Sequence, residues 1–232
     1  MTENSADAPL NGDLRQRATV ATASMEWSPS PSGTVWRKRV HRVGPAETGQ
    51  VSSLVRYEPN SRFPSHPHPE GEEILVLEGV FSDEHGDWPA GTYLLNPEGF
   101  SHAPFSREGC VLFVKLRQYP GLGRDQLQLA TGNLDWRDSD QPGRSIKPLY
   151  CQQGFSDQMR LERWQPASDM GEMEWPEGVE IFVISGEMLD EQGHYGEGSW
   201  LRLPPGSKQL AHTTTGCELY IKEGGFNYLR PA

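Results

Sequence analysis

Apolar residues along the chain fall in short runs cut by turn residues, and no segment keeps the 3.6-residue spacing of an amphipathic helix. Runs such as SLVRYEP (53–59), EEILVLEG (72–79), TYLLNPEG (92–99) and GCVLFVKL (109–116) are rich in Val, Ile, Leu and aromatics, the composition of strands. Gly, Pro, Asn and Asp separate them, as tight turns require. The pattern predicts an all-β chain of antiparallel strands closed into a sandwich or barrel. Totals of 25 glycines and 19 prolines agree with many short connections.

The strand pattern occurs twice. GEEILVLEGVFSDEHG (71–86) returns as GVEIFVISGEMLDEQG (178–193), an offset of 178 − 71 = 107, and the register continues without a gap through Gly91/Gly198, Pro97/Pro204 and Gly99/Gly206 to Cys110/Cys217. Upstream, Arg56-Tyr57-Glu58-Pro59 meets Arg163-Trp164-Gln165-Pro166 at the same offset. The expected organisation is a polar tail over residues 1–24, mobile or lying as an arm on a neighbour, a first domain over 25–120, a Gly-punctuated linker over 121–134 and a second domain over 135–232.

Composition narrows the partners. A net charge of -11 repels phosphate backbones and anionic lipid surfaces, so neither nucleic acid nor membrane is expected as a partner. No stretch approaches the roughly 18 consecutive apolar residues of a membrane helix. The opening MTENSADAPLNGDLRQR has neither a basic n-region nor an apolar h-region, and the three cysteines form no CxxC pair; both features point to a cytoplasmic protein with free thiols.

Candidate chemistry sits in the first copy. In SHPHPEGEE (65–73), His66 and His68 stand two apart and Glu72 keeps their parity, so in extended backbone all three face one way. Spacing favours Glu72 over Glu73, for which a backbone donor or a basic partner is expected. The turn Asn96-Pro97-Glu98-Gly99 then delivers His102 to the start of another strand. Three imidazoles and a carboxylate on a stiff scaffold suit one divalent transition metal, Zn, Fe, Mn or Ni, with room for water or a small-molecule ligand. Phe63, Trp88, Tyr93 and Phe100 flank these residues and are candidates for the pocket wall. In the second copy the 107-residue offset places Met173, Trp175, Val179 and Gln209 at the four positions, so no metal is expected there; bracing is its expected role, with a ligand pocket lined by Met173 and Trp175 as the alternative.

The spacing His66-x-His68, Glu72, Gly79, followed by Gly91, Pro97-x-Gly99 and His102, resembles the two signature motifs of the cupin superfamily. More narrowly, GEEILVLEGVFSDEHGDWPAGTYLLNPEGFSHAP looks like the cupin domain of ChrR-type anti-sigma factors; the likeness covers about residues 25–118, with 136–225 as a degenerate copy. Asn60 and Ser106 replace residues usual in the motifs. The resemblance implies tandem double-stranded β-helix (jelly-roll) domains, a bicupin, with the metal in the mouth of the first. It also implies two functions: a dioxygenase-like metalloenzyme acting on a small molecule, or a sensor reporting oxidants or a small ligand. The His-xxx-Cys-xx-Cys domain with which ChrR-type proteins grip a sigma factor is not in this sequence, so sigma-factor binding is not expected. Two fused barrels reproduce in one chain the packing that single cupins obtain by dimerising; a homodimer of the whole is allowed but not demanded.

Overall fold

The computed structural model describes residues 8–232 and divides them into two units of the same design. The first unit holds the chain up to Gly12, Glu26–Asn133 and Tyr228–Ala232; the second holds Asp13–Met25 and Leu134–Asn227. Each is a jelly roll of antiparallel strands, and no helix among the described residues is long and apolar enough to cross a membrane.

In the first unit the main sheet runs in the order Leu127–Ala130, Thr92–Asn96, Glu72–Asp83, Cys110–Leu116, Gln50–Tyr57, Val35–Val43, Ser28–Pro29. The long strand Glu72–Asp83 belongs to both layers: Glu72 to Leu75 pair with Thr92–Asn96, whereas Val80 to Asp83 pair with Gly86–Pro89. The crossing is made at Gly79, whose φ of +69° suits glycine and whose added Cβ would stand 2.2 Å from the Gly109 carbonyl oxygen. The register with Cys110–Leu116 shifts beside it, Val111 facing Glu78 and Leu112 facing Val76, which leaves Leu77 as the extra residue of a bulge. Inward residues of both layers, among them Val55, Ile74, Val76, Phe81 and Leu112, form one buried core. Burying each such side chain is worth roughly 1.5–3 kcal/mol.

The second unit repeats this plan with Ala18–Ala21, Ser199–Leu203, Val179–Asp190, Cys217–Gly224, Asp157–Trp164, Arg144–Cys151 and Arg137–Asp138. Gly186 (φ +73°) makes the same crossing, and a Cβ added there would stand 2.1 Å from the Gly216 carbonyl oxygen.

Two expected boundaries change. Residues 8–24 are not a loose tail, while 1–7 lie outside the described residues. Leu10 pairs with Arg42 in the first unit, and Ala18–Ala21 is an edge strand of the second, in register with Ser199 to Arg202. The expected linker is likewise part strand: Leu127–Ala130 pairs with Thr92 to Leu95 of the first unit. These two strands are equivalent, because ATVATASMEW (18–27) matches LQLATGNLDW (127–136) at an offset of 127 − 18 = 109. Even their anchors correspond, Thr22 Oγ1 donating to the Gly198 carbonyl and Thr131 Oγ1 to the Gly91 carbonyl, each at 2.7 Å. Each repeat therefore opens with a strand that completes the other unit's sheet.

Candidate metal centre

His66 and His68 each precede a proline, which holds their backbone extended and sets their rings on the same side of the segment. The short strand His66–Pro67 pairs with Ser101–His102 so that His102 stands directly opposite His66. His68 is fixed at the next step, its N–H donating to the Phe100 carbonyl (2.7 Å) and its carbonyl accepting from Gly71 and Gly99 (3.1 and 3.0 Å). A left-handed pair, Glu70 (φ 63°) and Gly71 (φ 72°), then turns the chain and starts the strand on Glu72.

The result is a convergence of ligand atoms. One ring nitrogen from each of His66, His68 and His102 lies within 4.8 Å of the others, a group able to hold a metal ion. His68 Nε2 and His102 Nε2 are 3.0 Å apart, and Glu72 Oε2 stands 3.7 Å and 3.6 Å from them. Ligands about 2.0–2.2 Å from one cation stand about 3.0–3.6 Å from each other, so this spacing fits a shared ion. His68, His102 and Glu72 are buried and His66 is half-buried.

Surrounding groups set the tautomers. His102 Nδ1 faces Asp83 Oδ2 at 3.0 Å and His66 Nδ1 faces the Pro64 carbonyl at 2.9 Å, so protons on these nitrogens leave both Nε2 lone pairs free for a metal. Asp83 is itself held by the His85 N–H at 2.8 Å, and Asn96 Nδ2 donates to Glu72 at 3.1 Å. Burial presses the His68 pKa down, with the Glu72 carboxylate opposing. For His102 burial acts the same way, but Asp83 and Glu72 outweigh it and the pKa rises.

A cavity of about 110 Å³ adjoins these four residues, its wall including Arg37, Val35, Tyr57, Phe63 and Phe81. It continues into a vestibule of about 300 Å³ that shares Arg37, Phe63, His66 and His68 and adds Arg39, Glu47 and Arg117.

Of the expected wall residues, Phe63 lines the cavity and three do not. Tyr93 pairs with Leu75, one residue out of phase with the cavity-lining Ile74, so it points to the opposite face and donates to Glu73 at 2.7 Å. Phe100 packs its ring edge against His102, centroids 5.4 Å apart, without reaching the cavity. Trp88 lies directly opposite Phe81 and packs against the same core without lining the cavity. Glu73 accepts from tyrosine hydroxyls, those of Tyr93 and Tyr119.

Sequence reasoning passed over Asp83, which reads as a turn residue and is one, since Oδ1 takes the His85 N–H. Its second oxygen holds His102, and the only sequence signal is its return as Asp190, which accepts from Gln209 Nε2 at 2.7 Å in the second unit. Arg37 was missed because it lies upstream of the motif on another strand.

The second unit carries buried charge where the first has an apolar wall, beside a pocket of about 260 Å³ lined by Arg144, Arg160, Met173 and Trp175. At the positions of Val35, Val55 and His68 it carries Arg144, Glu162 and Trp175, since Arg144 lies opposite Trp164 as Val35 lies opposite Tyr57. Glu162, fully buried, receives Arg144 (2.8 and 2.5 Å), Arg160 (2.7 Å) and the Trp164 indole N–H (2.9 Å). Burial would raise its pKa, but the two guanidiniums outweigh that and lower it.

The family model of the ChrR Cupin-like domain matches the chain twice, over residues 15–120 and 124–227. No curated protein matches the sequence. Among solved structures, a candidate dioxygenase from Nostoc punctiforme is 16% identical over 91% of this chain and 84% of its own, with a TM-score of 0.72. The E. coli protein Ylba is 14% identical over 97% and 98%, with a TM-score of 0.70. A variant of oxalate decarboxylase OxdC from Bacillus subtilis is 14% identical over 93% and 78%, with a TM-score of 0.64. At such identities the likeness is one of fold.

Proposed function

Because the chain belongs to the ChrR cupin-like family, with that domain in both halves, we propose that its first unit is a mononuclear metal centre performing dioxygenase-type chemistry on a small molecule. His66, His68, Glu72 and His102 would hold one divalent transition metal, which supplies Lewis acidity or a binding position for oxygen when bound. Asp83 keeps the His102 proton on Nδ1, and Asn96 holds the Glu72 carboxylate toward the histidines. The apolar wall of Val35, Phe63 and Phe81 excludes bulk water and strengthens charge interactions at the site. The second unit, which has no histidine at the equivalent positions and buries the Glu162 cluster, has a structural role.

The observation that carries this reading is the approach of Glu72 Oε2 to the facing nitrogens of His68 and His102 beside an open cavity. The same cavity favours substrate access over a sensor, for which a closed four-ligand site would suffice. Two relatives in fold, described as a candidate dioxygenase and an oxalate decarboxylase, add support for small-molecule chemistry. Three unpaired cysteines support a reducing, cytoplasmic setting.

Metal analysis of protein purified without a histidine tag tests the proposal. About one equivalent of metal is expected in the natural chain, with loss in His66→Ala and His102→Ala. Full metal in both variants would overturn it.

A further inference from the structure

Three arginines line the vestibule over the metal centre: Arg37 and Arg39 on the strand Val35–Val43, and Arg117 just after Cys110–Leu116. Glu47 is the one carboxylate among the residues that line it. Arg37 Nη1 donates to both Glu47 oxygens (2.8 and 2.7 Å) and Arg39 Nη2 to one (3.0 Å), so a single half-exposed acid faces two guanidiniums. Burial, and after it the Arg37 charge, presses the Arg39 pKa down, with Glu47 opposing. The vestibule thus keeps surplus positive charge in a chain whose net charge is -11.

The internal repeat says which of these residues the fold itself requires. Arg37 pairs with Val55, and its equivalent Ile146 pairs with Glu162; Arg39 pairs with Ser53, and its equivalent Pro148 pairs with Arg160. Arg117 and Gly224 correspond too, their N–H groups donating to the carbonyls of Gly71 and Gly178, each at 3.0 Å. The backbone there is left-handed in both units, φ 61° at Arg117 and 74° at Gly224. Glycine is the unstrained choice, and the first unit carries arginine instead. All three guanidiniums are therefore present in the copy with the histidines and absent from the copy without them, one of them at a conformational cost.

We propose that the first unit binds a small organic carboxylate, its anionic group taken by Arg37 and Arg117 at the vestibule and its other end directed to the histidine cluster. The incoming carboxylate displaces Glu47 from Arg37, which lines both compartments and so marks the passage between them. Guanidinium forks match carboxylate geometry and select for it over a neutral group of equal size. This deepens the proposed function and rests on its reading of the cavity.

The test is calorimetric titration of the metal-loaded full chain with oxalate, malonate and succinate, and with malonamide as an uncharged isostere of malonate. At least one of the dianions is expected to bind; in the malonate pair the amide is expected to be at least tenfold weaker. Arg37→Gln and Arg117→Gly are expected to weaken the bound dianion tenfold or more with metal content unchanged, and the thermal melt of Arg117→Gly, which restores the second unit's residue, checks that the fold is intact. No binding by any dianion, equal binding of amide and acid, or unaltered affinity in both variants would overturn the proposal. Should dianions bind through the arginines while His66→Ala and His102→Ala keep full metal, the metal assignment fails and the anion site stands.

Discussion

Single side chains decide the chemistry here, and several can be read by direct assay. Cys110 and Cys217 occupy equivalent buried positions, where desolvation pushes their thiols up to about 11 and about 12, while Cys151 is exposed. A thiolate reagent applied to the folded protein near pH 8 is expected to label one thiol quickly and the other two only after denaturation; quick labelling of all three would contradict the burial. Asp83→Asn keeps the size of the side chain but removes the charge that fixes the His102 tautomer, and should weaken metal affinity about 10–100-fold as followed by chelator competition. Glu72 stands on the side of His68 and His102 as motif spacing and parity together suggest, although the left-handed turn at Glu70 and Gly71 interrupts the extended segment on which parity relies. Asp83 was not legible, because a turn acid and a histidine-orienting acid look identical until the strand bearing His102 is seen beside it.

Elements carry the site through a few enforced bends. Gly79 and Gly186 let one strand pass between layers, and an added methyl would meet a backbone carbonyl that has no room to move. Gly79→Ala should cost about 1–3 kcal/mol through the left-handed backbone alone, lowering the melting temperature by roughly 5–10 °C once the collision is added. A melt within a degree of the natural protein would show that the strand crosses layers differently. The motif glycine replaced by Asn60 follows the same rule, its φ of 64° lying where asparagine is the best-tolerated substitute. Strand positions and the jelly-roll class were legible because turn residues punctuate them. The partners of Ala18–Ala21 and Leu127–Ala130 were not: such short edge strands have little apolar alternation, and the two-residue change of offset from 107 to 109 hides their kinship.

For the molecule as a whole, duplication has left one copy with a histidine-lined cavity and the other with a buried carboxylate–guanidinium cluster. The Glu162 pKa lies below its usual 4.5, so the carboxylate stabilises the second unit above that value and the contribution is lost as pH falls below it. Acid unfolding should therefore begin below about pH 4.5. Glu162→Gln, which strands two guanidiniums, should cost about 3–5 kcal/mol at neutral pH and flatten that acid limb. Halves cut between residues 120 and 121 separate each unit from one of its strands, Leu127–Ala130 from the first and Ala18–Ala21 from the second. Expressed apart they should aggregate through the bared edges, and expressed together they should co-purify; two stable, monodisperse halves would refute the strand exchange. That exchange also orders events on the ribosome. Ala18–Ala21 emerges early but has no partner until Ser199–Leu203 follows, and the first unit awaits Tyr228–Ala232. Neither barrel can close before these late segments have left the ribosome, so the nascent chain carries an open half-barrel while the second repeat is being made.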